Sequence, residues 1–340
     1  MRAAHDTRKA LQGDFGRVLR NGVAALVVAT GMLFQGVAAQ AEPLKIVVGF
    51  AAGSGLDLLA RVIAEKAQRE TGETIIVENR PGAGGRIAAQ LVATAQPDGR
   101  TILMCPIVTT AFTPFMYKKP GFDALKDLAP ITRLGNFKFA IGVKPDFKAD
   151  SLKDFIAYVK ANPKTVGYST PGVGTPAHFL GVMFNKATGT DLLHVPYKGS
   201  GPAATAVLSG DVLSTFNTTV ALIPLYRDKK VKLLAVTGTR RSAELPDIPV
   251  LSELGLDLGD VEKADFWYGF FAPGATEPGV IATLNKLLVD AIKDPAVTAK
   301  IAQLDIEVIT DTPDGFKKIV AEDYERWGKV IGESGFAMLD

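Results

Sequence analysis

Cysteine is almost absent from this 340-residue chain, which has a single one. Cys105 sits in the apolar run "TILMC". It has no intrachain disulfide partner, and its setting is that of an inert core thiol. Histidine is also scarce, and of three only His178 and His194 lie beyond residue 41. One cysteine and two histidines exclude a zinc site of the usual His/Cys kind. No serine stands in a G-x-S-x-G elbow and no S-x-x-K occurs, so the common serine-nucleophile signatures are missing. No apolar run is long enough to span a bilayer comfortably. A basic surface for nucleic acid or anionic lipid is missing too. The chain holds 38 Lys and Arg against 36 Asp and Glu. Five of those basic residues and two of the acidic ones fall within residues 1–41, and the remainder has a net charge of −1.

The first 41 residues have their own logic. Arg2, Arg8, Lys9, Arg17 and Arg20 precede the short apolar run "GVAALVVATGMLF", and Ala39 and Ala41 fit a small-x-small cleavage site. That order describes a secretory signal peptide cut near Ala41 and places the mature protein in the periplasm, soluble and without disulfides. An uncleaved N-terminal anchor is the alternative.

Beyond residue 41 the chain alternates β-branched runs with helical periodicity. "LKIVVGF", "TIIVENR" and "TILMC" read as strands. Between them "LDLLARVIAEKAQRET" and "GRIAAQLVATAQ" read as helices, with apolar stripes at Leu59, Val62 and Ile63 and at Ile87, Leu91 and Val92. Near-continuous apolar strands separated by helices indicate an α/β fold with a mostly parallel sheet in each unit. A second unit begins near "FAIGVKPDF", and the pattern returns to the first near "ADFWYGFFAP". The expected organisation is therefore two lobes joined by two crossovers, residues 42–141 with 264–340, and residues 142–263.

Three glycine-rich turns come after presumed strands and open helices: "FAAGSGLD", "ENRPGAGGR" and "YSTPGVGTPAH". Backbone amides and helix N-termini at such places make anion-binding concavities, and ligands of open α/β sheets collect there. A dinucleotide fingerprint fails because its third glycine position is Leu58. Asp57 reads as a loop support that accepts amide hydrogen bonds.

The motifs "VVGFAAGSGLDLLAR", "VENRPGAGG", "PDGRTIL", "YSTPGVGTPAHF", "VPYKGSGPA" and "LAVTGTRRSAELPDIPVLSELG" occur in this order. Together they resemble the substrate-binding proteins of tripartite tricarboxylate transporters, the Bug family. The resemblance covers essentially all of the chain from Leu44 onward. It implies a two-lobed periplasmic-binding-protein fold of type II, monomeric, without cofactor, metal or catalytic activity. Such a protein closes like a hinge on a small organic acid and delivers it to a pair of membrane permease subunits. Carried onto this chain, the first-lobe loop is Phe50 to Asp57, including Ala52, with Gly53, Ser54 and Gly55 presenting amides and Gly84 in the second turn. The second-lobe loop comprises Ser169, Thr170, Gly172, Gly174, Thr175 and His178. Lys198 lies in the "PYKG" turn, and Asn217 and Thr218 end a later strand. His178 either caps and packs or meets the ligand. Lys198 is either solvated or a ligand contact. Trp267 and Tyr268 either line the cleft or pack between the lobes.

Two departures from the family pattern bear on the ligand. Ser54 replaces a glycine and adds a hydroxyl, and Asn217 stands where an aspartate is common. Without that aspartate to grip an ammonium group, the expected ligand is a plain di-acid, aliphatic or aromatic, in preference to an amino acid. Two other functions remain open on the same scaffold. One is a sensor for a membrane kinase. The other is an exported enzyme, whose base would have to be Asp57, His178 or Lys198. Ser54→Ala and Thr170→Ala are each expected to weaken acid binding by roughly 1–2 kcal/mol if their hydroxyls meet a carboxylate, as titration calorimetry would show.

Overall fold

In a computed structural model the described residues are 42–333 and 336–340. The signal peptide assigned to residues 1–41 lies outside them.

Strands β1 (Leu44–Val48), β2 (Ile75–Asn79) and β3 (Thr101–Pro106) pair in parallel, with β1 between the other two. The sheet continues through β10 (Phe266–Pro273) to β4 (Leu128–Phe137) and the short β11 (Glu307–Val308), all antiparallel. Its order is β11-β4-β10-β3-β1-β2. The second sheet runs β7-β6-β8-β5-β9. It contains β5 (Phe139–Val143), β6 (Gly167–Thr170), β7 (Leu193–Pro196), β8 (Ser214–Thr218) and β9 (Lys232–Val236). Its β6 is parallel to β7 and β8, while β5 is antiparallel to β8 and β9. Both sheets are thus mixed. The antiparallel pairings come from the strands at the crossovers, which carry the chain back against its earlier direction.

The first crossing is abrupt. Phe137 ends β4, Phe139 begins β5, and only Lys138 lies between. Residues 139–141, expected with the first lobe, pair instead with β8 and β9 of the second sheet. The return crossing runs from Val236 to Phe266. Strand β4 itself was not anticipated, because Pro130 and Gly135 interrupt its periodicity.

Every residue of β10 is buried, as is every residue of β5. Strands covered on both faces lose the polar alternation of a half-exposed sheet, which is why "FWYGFFAP" is apolar throughout. Helix Gly55–Thr71 buries Leu56, Leu59, Ala60, Ile63, Ala64 and Ala67. Ser54 caps its start, and Gly72 at φ 71° ends it in the left-handed region. In helix Arg86–Ala93 the buried stripe is Ala88, Ala89 and Val92. Ile87 is 45% exposed, contrary to expectation. It lies over Gly82 of the preceding turn, where any side chain would collide with it. Cys105 is buried, and burial pushes its thiol pKa up.

Helix Pro313–Glu333 returns to the first sheet and is fastened there. Arg133 of β4 donates to both Asp311 oxygens, at 2.6 and 3.0 Å, with each side chain 14% exposed. The Asp311 amide donates to Thr132 Oγ1, and Asn285 Nδ2 bridges the Ile131 and Asp311 carbonyls. Asp311→Ala would strand a mostly buried guanidinium, so it should destabilise the protein by about 2–3 kcal/mol, read as a lower urea midpoint.

Candidate functional site

The first-lobe turn after β1 is organised by Asp57, whose side chain is 2% exposed. Its Oδ2 accepts from the Gly53 amide at 2.9 Å and from Arg61 Nε at 3.0 Å. Its Oδ1 accepts from Asn79 Nδ2 at 2.9 Å, and Asn79 also donates to the Phe50 carbonyl. Burial pushes the Asp57 carboxyl up, but the bonds from Arg61, Gly53 and Asn79 outweigh it and hold the pKa below the ordinary carboxylate value. Gly53 at φ 78° supplies the left-handed residue that turns its amide toward that carboxylate.

The second-lobe turn after β6 is tied in the same way. Thr170 Oγ1 donates to the Gly172 carbonyl, accepts from the Gly172 amide and lies 2.6 Å from His194 Nε2. The Gly174 amide donates to His178 Nδ1 at 3.1 Å. Thr175 caps helix Pro176–Thr188, and its hydroxyl donates to the Gly172 carbonyl. Ser169 donates to the Ala203 carbonyl. Asn217 donates to the Ser200 carbonyl at 2.9 Å, and its Oδ1 accepts from the Thr218 amide at 2.8 Å.

Between the two turns is a small chamber. One side is aromatic: Phe50, Phe137, Phe139 and Tyr268. The polar side consists of helix beginnings. Ser54, Gly55 and Leu56 start helix Gly55–Thr71, Thr175 and Pro176 start Pro176–Thr188, and Ser200 starts Ser200–Ser209. Thr218 precedes Thr219–Arg227. Four helix N-termini, one from the first lobe and three from the second, thus converge on one space. Each brings the positive end of its dipole. No charged side chain lines the chamber. The lobes meet beside it, where a Cβ on Gly55 would run into Val220 of helix Thr219–Arg227.

The donors can be counted. The Gly53 and Ser54 amides serve Asp57 and the Ala51 carbonyl, so of the three amides expected to face a ligand only that of Gly55 remains. The Gly172, Gly174 and Thr175 amides are likewise used inside their own loop. Thr218 donates to Ser200 Oγ, which leaves the Ser200 hydroxyl proton available. The Ser54 hydroxyl accepts from the Asp57 amide and keeps its own proton free. The chamber therefore offers the Ser54, Ser200 and Tyr268 hydroxyls and the first amides of helices Gly55–Thr71 and Ser200–Ser209, since Pro176 has no N–H and the Thr219 amide donates to the Lys138 carbonyl.

The expected site residues divide into three groups. Phe50, Ser54, Gly55, Thr175 and Thr218 line the chamber. Gly84, Gly172 and Lys198 line a neighbouring cavity, which shares Phe50 and Pro171 with the chamber. Lys198 is exposed and is the only charged residue lining either space. Ala52, Gly53, Asp57, Ser169, Thr170, Gly174, His178 and Asn217 line neither. In the latter group, the polar side chains hold the turns in shape. Thr170 is accordingly a loop brace, and Asn217 fixes the start of helix Ser200–Ser209 against β8.

Sequence reasoning missed Leu56, Pro106, Val108, Phe137, Phe139, Pro171, Pro176 and Ser200 as chamber residues. Ser200 was within reach, since it stands inside "YKGSGPA". The two phenylalanines flank the first crossover, and their spacing carries no chemical signature. Trp267 and Tyr268 part company because strand neighbours face opposite sides. Trp267 donates to Asp323 of helix Pro313–Glu333 at 2.8 Å, whereas Tyr268 faces the chamber. Among the described residues no cluster of His, Cys, Asp or Glu could hold a metal ion.

A two-lobed α/β chain with an uncharged, anion-directed chamber between its lobes has the architecture of a solute-binding protein. Residues 59–336 match the family described as "Tripartite tricarboxylate transporter family receptor", and the chain belongs to that family. It is 31% identical to protein BugT of Bordetella pertussis over 296 residues, covering 87% of this chain and 90% of BugT. The solved periplasmic binding protein BugD superposes with a TM-score of 0.82 at 32% identity, covering 87% of this chain and 99% of BugD. An R. palustris protein solved with adipate has a TM-score of 0.83 at 27% identity, covering 88% of this chain and all of that one.

The histidines behind the second turn set a pH limit on the fold. The rings of His178 and His194 stack at 3.9 Å. Burial lowers both pKa values, and His178 lowers that of His194 further, to about 3. In the unfolded chain both titrate near the ordinary 6.5. Above that pH neither state binds the protons. Below it the unfolded chain alone takes them up, so stability falls as the pH drops from 6.5 toward about 3. Urea unfolding between pH 7 and pH 5 should show a loss of about 1 kcal/mol per pH unit from His194, with a further loss of the same sign from His178, and His194→Gln should flatten that slope.

Proposed function

We propose that this protein captures a small organic carboxylate in the chamber by closing its two lobes, and delivers it to the membrane permease subunits of a tripartite tricarboxylate transporter. The observation that carries this reading is the convergence of four helix N-termini on a space lined by no charged side chain. Such a site favours an anion through fixed dipoles and hydroxyl donors. The R. palustris relative with adipate supports the same ligand class. Export to the periplasm, with cleavage near Ala41, belongs to this proposal, as do lobes that divide near the crossovers and move as hinged bodies. A monomer is the proposed state.

The lining favours binding of an acid without an amine. No Asp or Glu lines the chamber, so an ammonium group would be buried without a counter-charge. The di-acid preference that Asn217 suggested therefore stands on the chamber lining instead. The candidate catalytic bases Asp57 and His178 are committed within their loops, and Lys198 lies in the neighbouring cavity, which supports a receptor over an enzyme.

Calorimetric titration of the refolded mature protein against citrate, C4–C6 dicarboxylates, aromatic acids, aspartate and glutamate tests the reading. One-to-one binding of an acid, tighter than that of the amino acid with the same carbon chain, is the expected outcome. Absence of binding by well-folded protein across the panel would refute it. Ser54→Ala and Ser200→Ala should each weaken the preferred acid about tenfold, the worth of one hydrogen bond to a charged group. Thr170→Ala should instead show a lower unfolding midpoint.

A further inference from the structure

Tyr268 is the one polar side chain in the aromatic wall of the chamber, and nothing in the fold accounts for its hydroxyl. The residue is 5% exposed. Its ring lies flat on Phe137, with centroids 4.1 Å apart and planes 15° from parallel, and Phe137 in turn meets Phe139 edge-on at 5.5 Å. These contacts fix the ring between the two crossovers. The hydroxyl makes no hydrogen bond among the described residues, yet it is not one of the sealed, unpartnered polar atoms. Tyr268 lines the chamber. Burial pushes its pKa up, so it stays protonated and able to donate. Native structures leave few buried hydroxyls unpartnered, because each one lowers stability. Trp267, next to it and also buried, has its partner in Asp323.

We propose that Tyr268 is a specificity residue. Its hydroxyl donates to a second hydrogen-bond acceptor on the bound acid, while the helix N-termini hold the first carboxylate. This rests on the chamber being the carboxylate site. The preferred ligand thus has an apolar body with an acceptor at each end. A monocarboxylate with the same body would leave the phenol unpaired, and loss of that bond separates the two classes.

The test compares matched pairs, hexanoate with adipate and benzoate with terephthalate, by calorimetry on wild-type protein and Tyr268→Phe. In at least one pair the wild type should bind the di-acid about tenfold more tightly or better. Tyr268→Phe should reduce that preference to about twofold while leaving the monocarboxylate affinity unchanged. The variant should also unfold, without any acid present, at a urea midpoint equal to or above that of wild type. A preference that survives the substitution would overturn the proposal. So would equal losses for both members of a pair, a wild type without preference, or a variant less stable than wild type, which would give the hydroxyl a structural partner. Failure of the wild type to bind any acid would instead refute the carboxylate reading beneath it.

Discussion

A carboxylate drawn out of water loses a large hydration energy, and something in the protein has to replace it. At the proposed carboxylate site the replacement comes from peptide dipoles, and the arrangement of strands and helices around the chamber follows from that choice. Helix N-termini can converge only where several strands end on one side of a cleft. Strand β1 leads into helix Gly55–Thr71, β6 into Pro176–Thr188, β7 into Ser200–Ser209 and β8 directly into Thr219–Arg227. Because β6 is parallel to both β7 and β8, the three second-lobe helices begin at the same edge of their sheet. The mixed topology then supplies two crossovers that bring the first-lobe helix to face them.

Dipoles serve this purpose only if they are held still, and much of the polar chemistry around the chamber does that work. Asp57 uses both of its oxygens on the turn that carries Ser54. His178 and Thr170 use their ring and hydroxyl on the turn that carries Thr175. Asn217 ties the beginning of one chamber helix to the strand that leads into another. Such groups look like ligand contacts in a linear sequence because they are polar and stand in glycine-rich turns. In space they point away from the cleft, and what reaches the ligand is the geometry they impose.

The same distinction separates the legible features from the hidden ones. Strand–turn–helix order and the glycine turns are local properties, and both were legible. The aromatic wall was not, because Phe137, Phe139 and Tyr268 come from two crossovers far apart in the chain and meet only when the sheets form. Strand β4 escaped notice for a related reason. Its burial pattern is irregular, and it is held in place mainly by its long pairing with β10. Whether a polar residue in a turn faces inward or outward is likewise set by partners such as Asn79 and His194, which periodicity does not reveal.

The absence of charge from the chamber walls has a kinetic side. A helix dipole acts over about its first turn and no further, so it holds an anion that has arrived without drawing one in from solution. Of the residues lining the chamber and the cavity beside it only Lys198 is charged, on a chain whose remaining charge after residue 41 is −1. Capture is then governed by diffusion and by how often the lobes part, and it changes little with ionic strength. Release gains from the same design. In the proposed cycle, opening the lobes parts the first-lobe dipole from the three opposite it, and no charged side chain lines the chamber to hold the acid back.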